Sequence, residues 1–291
     1  MRFRIEVVSF KPSSSKSRNG RLQEQVREVI KMRPKPSYLF SVGLTLAGLL
    51  PILSVQAQTK PEASPDLPVR NEIHRQYRLA PNTIVKISMI AGPVEIDTTP
   101  GESAEINIIN SAETQADLNC ADIPIEQTPG KLVIRSKDLC PIVRVNSRVM
   151  LKLPRNVNLD LEYIAGHVRI GPTEGMVRLE SIAGHVRTGS VQAAEISSLA
   201  QGLSMEINEI GERGVHLSSV VGGIELGLSN NLNAEFVADR VDGNVISDIP
   251  NIKIVTIVTD GRSNYEARIG SGGQRITISI VKGGIRLRKL S

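Results

Sequence analysis

"YIAGHVRI" at residues 163–170 and "SIAGHVRT" at residues 181–188 say nearly the same thing twice. The shared Ile-Ala-Gly-His-Val-Arg begins at Ile164 and again at Ile182, 18 residues on. Two readings compete: a paired-histidine site, or two rungs of a repeating scaffold. The looser frame apolar-x-Gly-x-apolar returns as IAGPVEI (90–96), VVGGIEL (220–226), VDGNVIS (241–247) and VKGGIRL (281–287). The repeat glycines are therefore Gly92, Gly166, Gly184, Gly222, Gly243 and Gly283. From Gly166 the intervals are 18, 38, 21 and 40, and the two long ones are double steps. The missing rungs are expected near Gly202 and Gly261, where the frame slips.

A unit of 18–21 residues makes only two or three short strands and buries its apolar row only by stacking on its neighbours. Segments such as TIVKISMI (83–90) and AEINIIN (104–110) alternate apolar and polar with period two, and no segment has a helical period. The expected fold is all-β. A β-solenoid-like stack over 160–291 would follow an antiparallel β region over 76–159. An up-and-down β-sheet or sandwich is the alternative.

The chain has 291 residues and a formal net charge of +5. Residues 1–57 hold ten of the 35 basic residues and three of the 30 acids, so residues 58–291 carry a net of −2. A near-neutral body has no excess positive field for phosphates, which argues against a nucleic-acid partner. Beyond residue 57 the aromatics are Tyr77, Tyr163, Phe236 and Tyr265. Few stacking surfaces remain for sugars or bases.

The sequence KMRPKPS (31–37), an apolar run from Tyr38 to Leu53 and Val55-Gln56-Ala57 have the parts of a secretory signal peptide. Cleavage after Ala57 is expected, with Met32 as an alternative start. A single uncleaved membrane tether is the rival reading. Residues 58–75 then read as a linker. The expected address is exported: periplasm, cell surface or extracellular. Cys120 and Cys140 flank a hairpin pattern turning at Thr128-Pro129-Gly130. In an oxidising compartment they should form a disulfide.

Alternation sends His167 and Arg169 outward, and likewise His185 and Arg187. These four form a candidate surface patch. Metal binding needs three or more ligands, and Pro93, Gly223, Asn244 and Gly284 stand where the histidine would recur. No metal, cofactor or catalytic residue is expected. A polysaccharide-active β-helix enzyme is carried as the alternative to a non-catalytic protein, although its acids form no dense cluster in sequence.

The stretch VMLKLPRNVNLDLEYIAGHVRIGPTEGMVRLESIAGHVRTGSV (149–191) resembles a family of bacterial exported, adhesin-like domains of unknown function. The shared marks are Leu151, Pro154 and Leu159, followed by Gly-x-Val/Ile turns; YRLAPNTIVKISMIAGPVEID (77–97) is similar to that family's opening strands. The resemblance covers about residues 75–291. It implies an all-β repeat at the cell envelope, no enzymatic activity, and an envelope or surface partner, polysaccharide or protein.

Overall fold

The computed structural model describes residues 67–140, 144–250, 252–259 and 262–290. The signal-peptide segment with Ala57, and Gly261, lie outside them. The described chain is all-β, a curled mixed sheet with one short helix, α1 (Gln115–Leu118). The first strands are β1 (Val69–Arg78), β2 (Ile84–Ile90), β3 (Val94–Thr99), β4 (Ser103–Ala112), β5 (Ala121–Asp122), β6 (Ile125–Thr128), β7 (Lys131–Arg135) and β8 (Lys137–Asp138). Next come β9 (Val145–Pro154), β10 (Asn158–Ile164), β11 (Val168–Ile170), β12 (Thr173–Ile182), β13 (Val186–Leu199), β14 (Leu203–Ile207) and β15 (Val215–Val221). The remainder are β16 (Ile224–Leu228), β17 (Ala234–Asp242), β18 (Val245–Ser247), β19 (Ile254–Thr259), β20 (Arg262–Ile269), β21 (Gln274–Lys282) and β22 (Ile285–Lys289). Strand β1 begins inside the stretch expected as linker, because it has a partner there: it pairs antiparallel with β4, which places His74 on an exposed strand.

The chain alternates between two ladders. In the first, β9, β3, β11, the start of β13, β14, β16, β22 and β18 follow one another in parallel. In the second, β7, β2, β10, β12, the end of β13, β15, β21 and β17 do the same. Antiparallel pairs close the ladders: β1–β4–β9 and β6–β7 on one side, β17–β20–β19 on the other. The doubled motif is in register, with Val168 opposite Val186 and Ile164 opposite Ile182.

Register follows from the apolar columns. Ile90, Ile164, Ile182, Leu199, Val220, Val281 and Val241 are equivalent partners and all are buried. Slipping any strand by one residue would turn such a column to solvent. Outward positions alternate in charge: Lys86, Asp160, Arg178, Glu195 and His216 form one column. Within it Arg178 binds Glu195 at 2.7 Å, and Lys86 lies 3.3 Å from Asp160 and donates to Glu162 at 2.6 Å. The exposed Arg178–Glu195 pair is worth up to about 1 kcal/mol, whereas Lys86, Asp160 and Glu162 are part-buried.

One local feature repeats that the sequence does not announce. Met89, Tyr163, Ser181, Ser198, Ser219, Arg240 and Ile280 all have φ between 54 and 63°, each directly before a member of the buried column named above. A left-handed residue there kinks the strand and swings the chain from the second ladder to the first. The residue types share no propensity for it, so the stack imposes the conformation.

The order in space departs from the order in sequence. Strand β21 lies between β15 and β17, and β22 between β16 and β18. Residues 274–289 thus form a layer between two layers made earlier. The double step from Gly243 to Gly283 is not two successive rungs: the rung expected near Gly261 is replaced by the antiparallel pair β19–β20. The rung near Gly202 is present, displaced by one residue. Leu199 pairs with Ile182 and Leu203 with Val186, so Gln201 takes the repeat-glycine position and Gly202 the histidine position.

Cys120 and Cys140 form a disulfide with a Cα–Cα distance of 5.1 Å. It closes the open end of the two arms, as expected from the hairpin pattern, with β5 and β8 paired just inside it. A small satellite core of Ala112, Leu118 and Val145 lies nearby. Thr114 caps α1, accepting from the Asp117 backbone N–H at 3.1 Å.

Candidate functional site

The four candidate patch residues are brought together, and the structure separates their roles. Arg169 lies opposite Glu95 and is paired, at 2.8 Å from Asp97 and 3.3 Å from Glu95. His167 Nδ1 accepts the backbone N–H of His185 at 3.0 Å, so one ring is tied into the next rung. That bond requires a lone pair on Nδ1. His185 is half-buried, and its burial, then Arg187 and His167, hold its imidazole below the ordinary range. The Arg187 guanidinium beside that ring works against recruiting a cation. Among the described residues no three His, Cys, Asp or Glu side chains gather where a metal ion could be held.

From His185 the outer face of the first ladder continues as an open trough. Residues just before Val186, Leu203, Ile224, Ile285 and Val245 share a column, because those five are register partners. That column reads His185, Gly202, Gly223, Gly284 and Asn244. The floor is therefore backbone. Its carbonyls are already used: Gly202 accepts from Val186 at 3.0 Å, Gly223 from Leu203 at 3.0 Å and Gly284 from Ile224 at 2.9 Å. One wall is the next outward column: Arg187, Ser204, Glu225, Arg286 and Ile246. Arg286 binds Asp248 at 2.7 Å, and Arg288 binds Glu225 at 2.5 Å and Glu206 at 3.4 Å.

The repeat glycines do a different job from the floor glycines. A Cβ on Gly184 would fall on the Gly166 carbonyl and within 2.5 Å of the His167 nitrogen. Gly166 meets Gly92 in the same way, and Gly283 meets Gly222. These are close approaches between layers. At Gly223 a Cβ would meet nothing nearer than the Gly284 carbonyl, at 3.8 Å, and its φ is not left-handed. The fold tolerates a side chain at Gly223, as it tolerates His167 and His185 in the same column.

Sequence reasoning found the histidine pair but not the trough. Its signal was already visible as Gly223, Asn244 and Gly284 at the histidine position, but only the inserted layer brings Gly284 between Gly223 and Asn244. Among the described residues no helix is long and apolar enough to cross a membrane.

No protein-family model matches the chain, and no curated protein does. Among solved structures the chain is similar to a candidate cell adhesion protein from Clostridium sporogenes, at 11% identity over 76% of this chain and 100% of that one, with a TM-score of 0.43. It is also similar to a candidate adhesin from Bacteroides fragilis, at 12% identity over 77% and 99% of the two chains, TM-score 0.30. A third is a candidate lipid-binding protein from Parabacteroides distasonis, at 8% identity over 76% and 97%, TM-score 0.28. Identities of 8–12% with TM-scores below 0.5 leave the reading of this chain to its own residues.

Proposed function

We propose that this chain is a non-catalytic, exported envelope protein whose β-solenoid-like body presents the trough to an extended partner, in the manner of an adhesin. The proposed organisation is a leader ending at Ala57, a linker, an N-terminal β region and the repeat body. Parallel register at 18-residue spacing supports the solenoid reading. The observation that carries the function is Gly223: packing does not demand a glycine there, yet its lack of a side chain keeps the trough open. Four rungs at about 4.8 Å make a floor roughly 15–20 Å long, a length suited to a polymer segment rather than a small metabolite. The polysaccharide-active alternative needs two available carboxylates. Among the described residues Glu225 is the one carboxylate lining the trough, and Arg288 holds it.

The test is co-sedimentation with isolated bacterial cell walls, using wild type and Gly223→Trp, with thermal melts of both. Wild type should sediment, and the tryptophan variant should stay in solution while melting normally. Repeating the assay on protease-stripped walls assigns the partner to glycan or protein. Equal sedimentation of both chains, or of neither, would sink the proposal.

A further inference from the structure

The sheet edges are not treated alike. Strand β1 carries Arg70, Glu72, Arg75 and Arg78, β6 is flanked by Pro124 and Pro129 and carries Glu126, and β18 has three residues. Short length, charge and proline are how soluble sheets keep edges from pairing. Strand β19, Ile-Val-Thr-Ile-Val-Thr, has none of these. Among the described residues it pairs on one side alone, with β20. Its side chains from Val255 to Thr259 are all exposed and uncharged, with Val255 47%, Ile257 41% and Val258 68% exposed.

We infer that β19 is a homodimer interface, pairing antiparallel with β19 of a second copy about a two-fold axis. The occupant follows from the strand's chemistry. An uncharged, β-branched edge meets its own copy without like charges facing each other. Antiparallel pairing also carries the two Lys253 side chains to opposite ends of the junction, roughly 20 Å apart for six residues. A two-fold junction uses the same edge on both copies and closes at two. One six-residue edge per copy falls short of the about 1,200–2,000 Å² of a standard interface, so the dimer is reversible and concentration dependent.

Analytical ultracentrifugation of the full chain over a wide concentration range tests this. Wild type should move from monomer to dimer and no further. Val258→Lys should weaken association at least tenfold with an unchanged melting temperature. Gln76→Lys, which adds the same charge on β1, should leave it unchanged. A wild type that stays monomeric, or assembles beyond dimers, overturns the inference. So does a Val258→Lys chain that folds and dimerises like wild type, or a Gln76→Lys chain that weakens equally. If Val258→Lys melts early, Thr256→Lys on the same strand takes its place with the same two outcomes.

Discussion

Replacing Gly184 by alanine places one methyl group between two layers of backbone. Its nearest neighbours would be the Gly166 carbonyl and the His167 nitrogen, the latter at 2.5 Å. Carbon atoms prefer about 3.5–4.0 Å, so the layers must part by about 1 Å. The Ala183 N–H to Ile164 bond of 2.9 Å and the Val168 N–H to His185 bond of 3.0 Å flank the insertion and would stretch with it. Overpacking costs about 1–3 kcal/mol, and the upper end applies because the opposing atoms are backbone and cannot rotate away. For a domain of about 150–250 residues, about 3 kcal/mol lowers Tm by about 6–12 °C. Gly223→Ala is the control, since its methyl meets only ordinary contact at 3.8 Å. Gly→Ala at an unstrained position stabilises by about 0.4–1 kcal/mol through the unfolded chain, so the two substitutions should differ in sign. Calorimetry of both, with the disulfide intact, decides it. If Gly184→Ala melts with wild type, or if Gly223→Ala falls as far, the division into packing glycines and trough glycines is wrong.

Ile280 is a β-branched residue at φ 56° with 40% of its surface exposed. Asparagine tolerates that conformation far better, so Ile280→Asn should stabilise by about 1 kcal/mol in a urea titration; a loss would show that its side chain contributes more than its backbone costs. His185 has a lowered pKa in the folded chain. The unfolded chain therefore takes up that proton first as pH falls through about 6.5, and stability should rise with pH across roughly 5.5–7. In His185→Gln that slope should be shallower, as read from melting temperatures at fixed ionic strength.

The all-β character and the pairing of the doubled IAGHVR were legible because their signal is chemical: a glycine where two backbones touch, and apolar residues two apart beside it. The hairpin with Cys120 and Cys140 was legible for the same reason, since turn residues and cysteines mark it directly. Alternation with the apolar Ile164, Val168 and Ile170 is the signal that turns His167 and Arg169 outward, and both are exposed. The left-handed series was hidden, because Met89, Tyr163, Arg240 and Ile280 carry no residue-type mark for that conformation. The displaced rung was hidden because Gln201 stands where the glycine was sought. Pairing of β21 with both β15 and β17 is a long-range choice among similar apolar edges, and local pattern does not rank them.

That choice bears on how the chain is built. A stack laid down in sequence order could dock each turn as it emerges during synthesis. Here residues 234–247 have no parallel neighbour until residues 274–289 arrive and slide between them and residues 215–228. The slot must stay open, or reopen, for the later segment. A nascent chain stopped at residue 273 would be missing a keystone rather than its last brick, with two facing edges free to close wrongly on each other. Assembly of this side of the molecule therefore waits for residues 274–289.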